Sequence, residues 1–174
     1  PCGTDLAAFS AADPGRLRDV VAALAADTDV LLLDSPATLE SKSAVLPVVL
    51  ADRVVLVLQP TVPALSDGLK VQEYALSYGT DVAGVLFNKV RDDEGIDRVR
   101  DHSERYFEGP ILGAVPEDDA ARAARRAGEP LLAHAPDSDA ARAFREAAAA
   151  LDVAQRSADD VADRFRRAVI PDEP

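Results

Sequence analysis

The chain of 174 residues contains no methionine, no tryptophan and a single cysteine, Cys2. One cysteine cannot close an internal disulfide, and it excludes any zinc or iron–sulfur site that needs several thiolates from this chain. His102 and His134 stand far apart without metal-ligand spacing, so solvated or capping roles are the simpler interpretation. These counts predict that no metal centre is built from cysteine or histidine.

Long apolar runs are also missing. No stretch approaches the roughly 18 to 20 residues of a membrane span, and the N-terminus lacks the basic flank and apolar core of a signal peptide. These features predict a cytoplasmic protein. Because 48% of the residues are hydrophobic, the chain can bury a real core and is most simply one domain.

Positive charge is scarce as well. The formal net charge is −12, and lysine occurs only at Lys42, Lys70 and Lys89. This composition is typical of proteins from salt-accumulating organisms, where a Debye length of about 3 Å or less screens an acidic surface. An acidic protein from a high-GC genome is the alternative. Either origin argues against direct binding of nucleic acid through its phosphates.

Short β-rich runs alternate with helical segments along the chain. The strand candidates are "VLLLD", "RVVLVLQP", "DVAGVLFNK" and "PILGAVP", and segments with helical periodicity precede, separate and follow them. Among these segments, the first has Asp13 as its predicted N-cap, another covers residues 95–107, and the one after "PILGAVP" ends at the predicted cap Gly128. This alternation predicts right-handed βαβ units. The fold class is therefore α/β, an open, doubly wound, mostly parallel sheet with helices on both faces.

Polar side chains follow three of the predicted strands. The carboxyl ends of parallel strands meet at one edge, where open α/β sheets bind ligands, so we expect these side chains to line one crevice. The strand ends carry Asp34 with Ser35, Asn88 with Lys89, and the loop of Pro116, Glu117 and Asp118.

Four blocks of the sequence resemble a known family. In order and spacing, "VLLLDSPATLE", "ADRVVLVLQPTVPALSDGLK", "GVLFNKV" and "ILGAVPEDDAARAARRAGEPLLAHAPDS" are similar to the second half of MinD/ParA-type ATPases of the deviant P-loop class, nearest to archaeal MinD. The resemblance implies a P-loop NTPase-like fold, with residues 1–151 as the C-terminal part of the nucleotide-binding domain and 152–174 as a helical tail.

The phosphate-binding loop of that family is missing from the sequence. No G-x-x-x-x-G-K-[ST] string occurs in the 174 residues. The resemblance therefore implies a fold that is incomplete at its N-terminus, with about 80 to 100 further residues carrying the P-loop. Thr38 stands where the family usually has the glycine that approaches the γ-phosphate, and a side chain there argues against sensing of the nucleotide state.

The resemblance also implies roles for the strand-end residues. Asp34 matches the Walker B aspartate, which holds Mg²⁺ through water near the ATP phosphates; its alternative role is a helix N-cap. Asn88 matches the asparagine that reads the adenine edge, since an amide offers a donor and an acceptor, although a strand-ending turn residue would look the same. Pro116, Glu117 and Asp118 match the loop beside the adenine, where an acidic N-cap can coexist with base binding.

Two functions follow from these matches. In the first, the intact protein is an ATPase that uses ATP and Mg²⁺, forms a homodimer through ATP and positions cell-division (septum-site) or polar machinery. In the second, the protein is a non-catalytic scaffold that keeps the fold and a partner surface. Asp34 together with Asn88 favours the first, whereas Thr38 and the missing P-loop favour the second.

The tail adds a membrane hypothesis. Val161, Phe165 and Val169 fall on one helical face at i, i+4 and i+8, with arginines nearby. Such a stripe predicts peripheral contact with the inner face of a membrane, while an ordinary terminal helix is the alternative.

Overall fold

The computed structural model describes residues 14–35, 42–91 and 103–153. Their helices and strands are α1 (Pro14–Ala26), α2 (Lys42–Leu50), β1 (Arg53–Leu58), α3 (Val62–Ser77), β2 (Asp81–Val90), β3 (Ile111–Pro116), α4 (Asp119–Ala127), α5 (Leu131–His134) and α6 (Asp139–Ala150). These elements fall into two units. The helical unit holds α1, α2 and residues 78–80, and the sheet unit holds β1 to β3 and α3 to α6.

The sheet unit is built on three parallel strands in the order β1-β2-β3. β2 is the central strand, and α3 connects β1 to β2 as the helix of a βαβ crossover. The β-branched and aliphatic runs of the sequence form these strands because such side chains pack well on a pleated, buried surface. The predicted parallel α/β class is confirmed.

β2 buries side chains on both of its faces. Val85 and Phe87 are fully buried on one face, in a cluster with Leu56 and Phe107 that α3 helps to cover. Leu86 belongs to a second cluster. The other buried members of that cluster are Leu112, Val115, Ala140 and Ala147. Since Ala140 and Ala147 lie on α6, helices cover both faces of this sheet, as predicted.

Two glycines allow the segment before β3 to lie directly against β2. A Cβ atom on Gly84 would lie 2.6 Å from the carbonyl oxygen of Pro110, and one on Gly109 would lie 2.7 Å from that of Val82. Both glycines have positive φ, +152° and +80°. Because no side chain separates the two segments, the backbone N–H of Val85 donates to Pro110 O at 2.9 Å.

A buried amide fixes the same segment to α3. Gln72 is 8% exposed, and its Nε2 donates to the carbonyl oxygen of Tyr106 at 3.0 Å. Its Oε1 accepts from the backbone N–H of Glu108 at 2.7 Å. The two bonds hold the backbone on either side of Phe107, whose ring packs in the core.

In the helical unit, the predicted strand at residues 30–33 is wrong. Residues 30–35 have no regular secondary structure, and Leu32 is 86% exposed. A strand is held by hydrogen bonds to a neighbouring strand. The described residues of this unit include no strand that could be that neighbour. Leu31 and Leu33 still pack on a cluster of α1 and α2 residues, namely Val21, Leu46 and Leu50.

The predicted helices that precede, separate and follow β1 to β3 are present in the described residues, whereas residues 152–153 of the predicted helical tail have no regular secondary structure. α4 ends at the predicted cap, Gly128, which has a left-handed φ of +72° and donates to two carbonyl groups of the last turn. The predicted N-cap Asp13, most of the predicted helix at 95–107 and tail residues 154–174 lie outside the described residues. Among the described helices, none has the length and apolar character needed to cross a membrane.

We expect Gln72→Leu to lower the free energy of unfolding by about 1 to 3 kcal/mol, because the carbonyl group of Tyr106 and the N–H group of Glu108 lose their part-buried hydrogen bonds to the Gln72 amide. Urea denaturation measures the loss. Glu73→Leu, at the neighbouring exposed position, is the control and should change stability by no more than about 0.5 kcal/mol. Equal losses in the two variants would contradict the role assigned to the buried amide.

Candidate functional site

Two of the predicted site segments meet at one edge of the sheet. Asn88 lies near the carboxyl end of β2, and Pro116 ends the adjacent strand β3. The backbone N–H of Glu117 donates to Val90 O at 2.7 Å, so the loop after β3 stays attached to β2. Asn88 and the loop of residues 116–118 therefore lie at one edge of the sheet. The sequence predicted that they line one crevice, but of these residues only 116–118 line the cleft at this edge, and Asn88 and Lys89 do not.

β2 carries a bulge at this edge. Phe87 pairs with Ala114 and Val90 with Pro116, so Asn88 and Lys89 together stand opposite the single residue between those partners. Lys89 has a left-handed φ of +56°, a conformation that costs a non-glycine residue about 1 to 3 kcal/mol. Asn88 Oδ1 accepts from the backbone N–H of Lys89 at 2.9 Å. Bulges of this kind re-aim side chains and occur often beside active sites.

An open cleft of about 510 Å³ lies beside these strand ends. It is lined by Val90, Arg91, Pro116, Glu117, Asp118, Asp119, Arg122 and Asp139. The four carboxylates and two guanidinium groups give the lining a formal net charge of −2. A negative lining repels phosphate, so the cleft suits a neutral polar ring better than the phosphate end of a ligand.

Glu117 is the carboxylate of the cleft that pairs with two guanidinium groups. Its Oε2 accepts from Arg91 Nε at 2.7 Å, and its Oε1 lies 3.9 Å from Arg122 Nη2. The hydrogen bond and charge of Arg91, helped by the charges of Arg122 and Lys89, hold the pKa of Glu117 below its usual range, against the effect of partial burial. Glu117 is therefore an ionised acceptor at neutral pH.

Asp118 ties together the first turns of two helices. Its Oδ1 accepts from the backbone N–H of Ala120 at 2.8 Å, which makes it the N-cap of α4. Its Oδ2 accepts from the backbone N–H of Ala140, in the first turn of α6, at 3.2 Å. The predicted N-cap is confirmed, and the same carboxylate fixes the loop that forms the cleft wall.

Asp34 belongs to the helical unit, where its side chain is exposed and Ser35 is half-buried. Its role as a Mg²⁺ ligand stays a prediction, and Thr38 lies outside the described residues. Within residues 14–35, 42–91 and 103–153, no group of three or more histidine, cysteine, aspartate or glutamate side chains is arranged to hold a metal ion.

Sequence reasoning missed Arg91, Arg122 and Asp139 as cleft residues. The ion pair between Arg91 and Glu117 joins positions 26 residues apart, and periodicity within one element does not reveal such a contact. One signal was available for Arg91, which follows Asn88 by three residues in the string "FNKVR" and so falls at the same strand end.

Comparisons with known proteins bear on this architecture. No protein-family model matches the chain. An uncharacterized ATP-binding protein of Methanocaldococcus jannaschii is 34% identical over 131 residues, which are 74% of this chain and 48% of that relative. The structure of the cell division ATPase MinD of Pyrococcus furiosus matches with 27% identity and a TM-score of 0.75, over 85% of this chain and 62% of that one. The septum site-determining protein MinD of Pyrococcus horikoshii, complexed with Mg-ADP, matches with 27% identity and a TM-score of 0.74, over 84% and 59%.

The parallel sheet and the helices on its two faces match the P-loop NTPase type of α/β fold of these similar structures. Together with these similarities, they place the chain in the MinD/ParA-type P-loop ATPase family. The chain spans about half the length of the curated relatives that it matches.

We expect Asp118→Ala to lower the free energy of unfolding by about 1 to 2 kcal/mol, because it removes the N-cap of α4 and a second bond to α6. Thermal or urea unfolding measures this loss. Asp137→Ala, an exposed aspartate just before α6, is the matched control and should stay within about 0.5 kcal/mol of the original chain. An Asp118→Ala chain as stable as this control would show that the cap contributes little.

We expect Arg91→Gln to raise the pKa of Glu117 towards its usual range, because the largest cause of the depression is removed. A carboxylate with a depressed folded pKa stabilises the fold above the pKa of an unfolded glutamate, and this contribution disappears as pH falls through the folded pKa. NMR titration of the Glu117 carboxyl carbon measures the change. Lys70→Gln, which removes an exposed pair with Asp67, should leave the titration of Glu117 unaltered.

Proposed function

We propose that the chain is part of an ATPase that binds and hydrolyses ATP, and that its strand-end cleft receives the adenine. The observation that carries this proposal is the position of Asn88 and the loop of residues 116–118 on adjacent strand ends. The Mg-ADP complex of the similar Pyrococcus horikoshii protein supports a nucleotide as the ligand.

The residues divide the work of base recognition. Asn88 offers an amide, whose donor and acceptor groups complement the adenine edge. Pro116 gives the loop a rigid backbone that can pack on the ring. Asp118 holds that loop in place through its two backbone hydrogen bonds. The net charge of −2 around the cleft is compatible with the base and keeps the phosphates elsewhere.

Asp34 is the residue that would hold Mg²⁺. The ion commonly binds proteins through one or two carboxylates, several waters and the phosphates of the substrate, and an exposed single carboxylate fits that mode. When bound, Mg²⁺ would supply positive charge that offsets the negative charge of the ATP phosphates. Asp34 contributes a negative charge and an acceptor for the metal-bound waters.

The wider role follows from the same family. We propose that the whole protein forms a homodimer through ATP and positions cell-division or polar machinery, as the sequence resemblance implies. The names of two similar proteins, a cell division ATPase and a septum site-determining protein, support the cell-division role. Peripheral membrane contact through Val161, Phe165 and Val169 belongs to this proposal, and those three residues lie outside the described part of the chain.

A scaffold without nucleotide chemistry is the second candidate. It is favoured by Thr38, which stands where the family usually has a glycine. The two candidates make different predictions about the cleft. The ATPase requires it to bind a purine, and the scaffold does not.

We expect AMP, added to the 174-residue chain, to shift the amide NMR signals of residues 87–91 and 116–119. Asn88→Ala should weaken this binding roughly tenfold, since it removes the amide that pairs with the base. Gln59→Ala, which removes an exposed amide just beyond the carboxyl end of β1, should leave it unchanged. Ribose 5-phosphate should produce no shifts at these residues. If AMP also produces none, the scaffold is the better interpretation.

A further inference from the structure

We propose that Arg91 makes the cleft selective for adenine over guanine by occupying the carboxylate of Glu117. This inference rests on the proposed function, because it takes the cleft to be a purine site. It assigns a role to the ion pair between Arg91 and Glu117, which the base contacts proposed for Asn88 and Pro116 do not use.

The geometry places a charged acceptor in the cleft wall and covers it with guanidinium groups. The backbone N–H of Glu117 donates to Val90 O at 2.7 Å, which fixes the residue at the strand end. Arg91 Nε donates to Oε2 at 2.7 Å. Arg122 Nη2 is 3.9 Å from Oε1, which is beyond hydrogen-bond distance, so Arg91 makes the stronger of the two contacts.

The two purines differ in what they offer to a carboxylate. Guanine presents its N1–H and exocyclic N2–H₂ side by side, and the two oxygens of a carboxylate can accept both donors. Adenine presents one exocyclic N–H₂ beside the N1 lone pair, so a carboxylate gains one bond and meets a repelling lone pair. An uncovered Glu117 would therefore favour guanine, and its ion pair with Arg91 removes that advantage.

The other carboxylates of the lining are engaged differently. Asp118 accepts two backbone N–H groups, and these bonds do not depend on Arg91. Asp119 pairs with Arg122 at 2.7 Å, and Asp139 pairs with Arg142 on its own helix. Glu117 is thus the cleft carboxylate whose hydrogen-bond partner is lost when Arg91 is replaced.

The test compares AMP with GMP, which share the ribose 5-phosphate, so the ratio of their dissociation constants reports on the base alone. NMR titration of the 174-residue chain gives both constants. We expect the original chain to prefer AMP, and Arg91→Gln to shift the ratio towards GMP by roughly tenfold, the worth of one bidentate contact to a base. The double variant Arg91→Gln with Glu117→Gln should return the ratio to its original value, because an amide cannot accept both guanine donors.

Each outcome decides a different point. Arg125→Gln, on α4 but not in the cleft lining, is the matched control and should leave the ratio unchanged. If Arg91→Gln binds AMP and GMP in the original ratio, or if the double variant still favours GMP, the inference is overturned while the proposed function stands. If the original chain binds neither nucleotide, the proposed function fails and the inference fails with it.

Discussion

The burial of both faces of β2 is the constraint on which the sheet unit depends. On one face of β2, Val85 and Phe87 pack against α3 and the Phe107 ring, and on the other face Leu86 packs against α6. A strand held in this way cannot slip by one residue, because a slip would exchange the two sets of side chains. Asn88 directly follows these three buried residues, so the packing of Val85, Leu86 and Phe87 fixes its position at the edge of the sheet.

Four carboxylate side chains line the cleft, and all four form hydrogen bonds or ion pairs with other groups of the chain. Glu117 is neutralised by Arg91, and Asp118 is neutralised in part by the N-terminal ends of two helices. A chain with a net charge of −12 can thus place four carboxylates around one cleft at limited electrostatic cost. What remains for a ligand is a polar cleft whose hydrogen-bonding groups are already oriented.

The sequence predicted the parts of the fold that depend on local pattern. β1, β2 and β3 follow from apolar, β-branched runs, and the ends of α4 follow from Asp118 and Gly128, whose capping preferences act within a few residues. The prediction of a strand at residues 30–33 is wrong. The described part of the helical unit contains no neighbouring strand with which this apolar run could form hydrogen bonds.

The sequence also predicted part of the candidate site. Parallel topology brings Asn88 and Pro116 to one edge, and topology can be inferred from the alternation of strands and helices. The bulge at Lys89 and the pairing of Arg91 with Glu117 depend on how two strand ends pack together. Gln72 likewise forms hydrogen bonds with the backbone of Tyr106 and Glu108, which lie 34 and 36 positions further along the chain. Local sequence gives no signal for such distant contacts.

The two bonds of Asp118 have a consequence for local unfolding. One carboxylate accepts from the amides of Ala120 and Ala140, which lie in different helices and 20 positions apart in the chain. If the loop before α4 opens, α6 loses a hydrogen bond in the same event. The starts of α4 and α6 therefore share one opening equilibrium, and hydrogen exchange at these two amides is governed by a common free energy although no strand joins them.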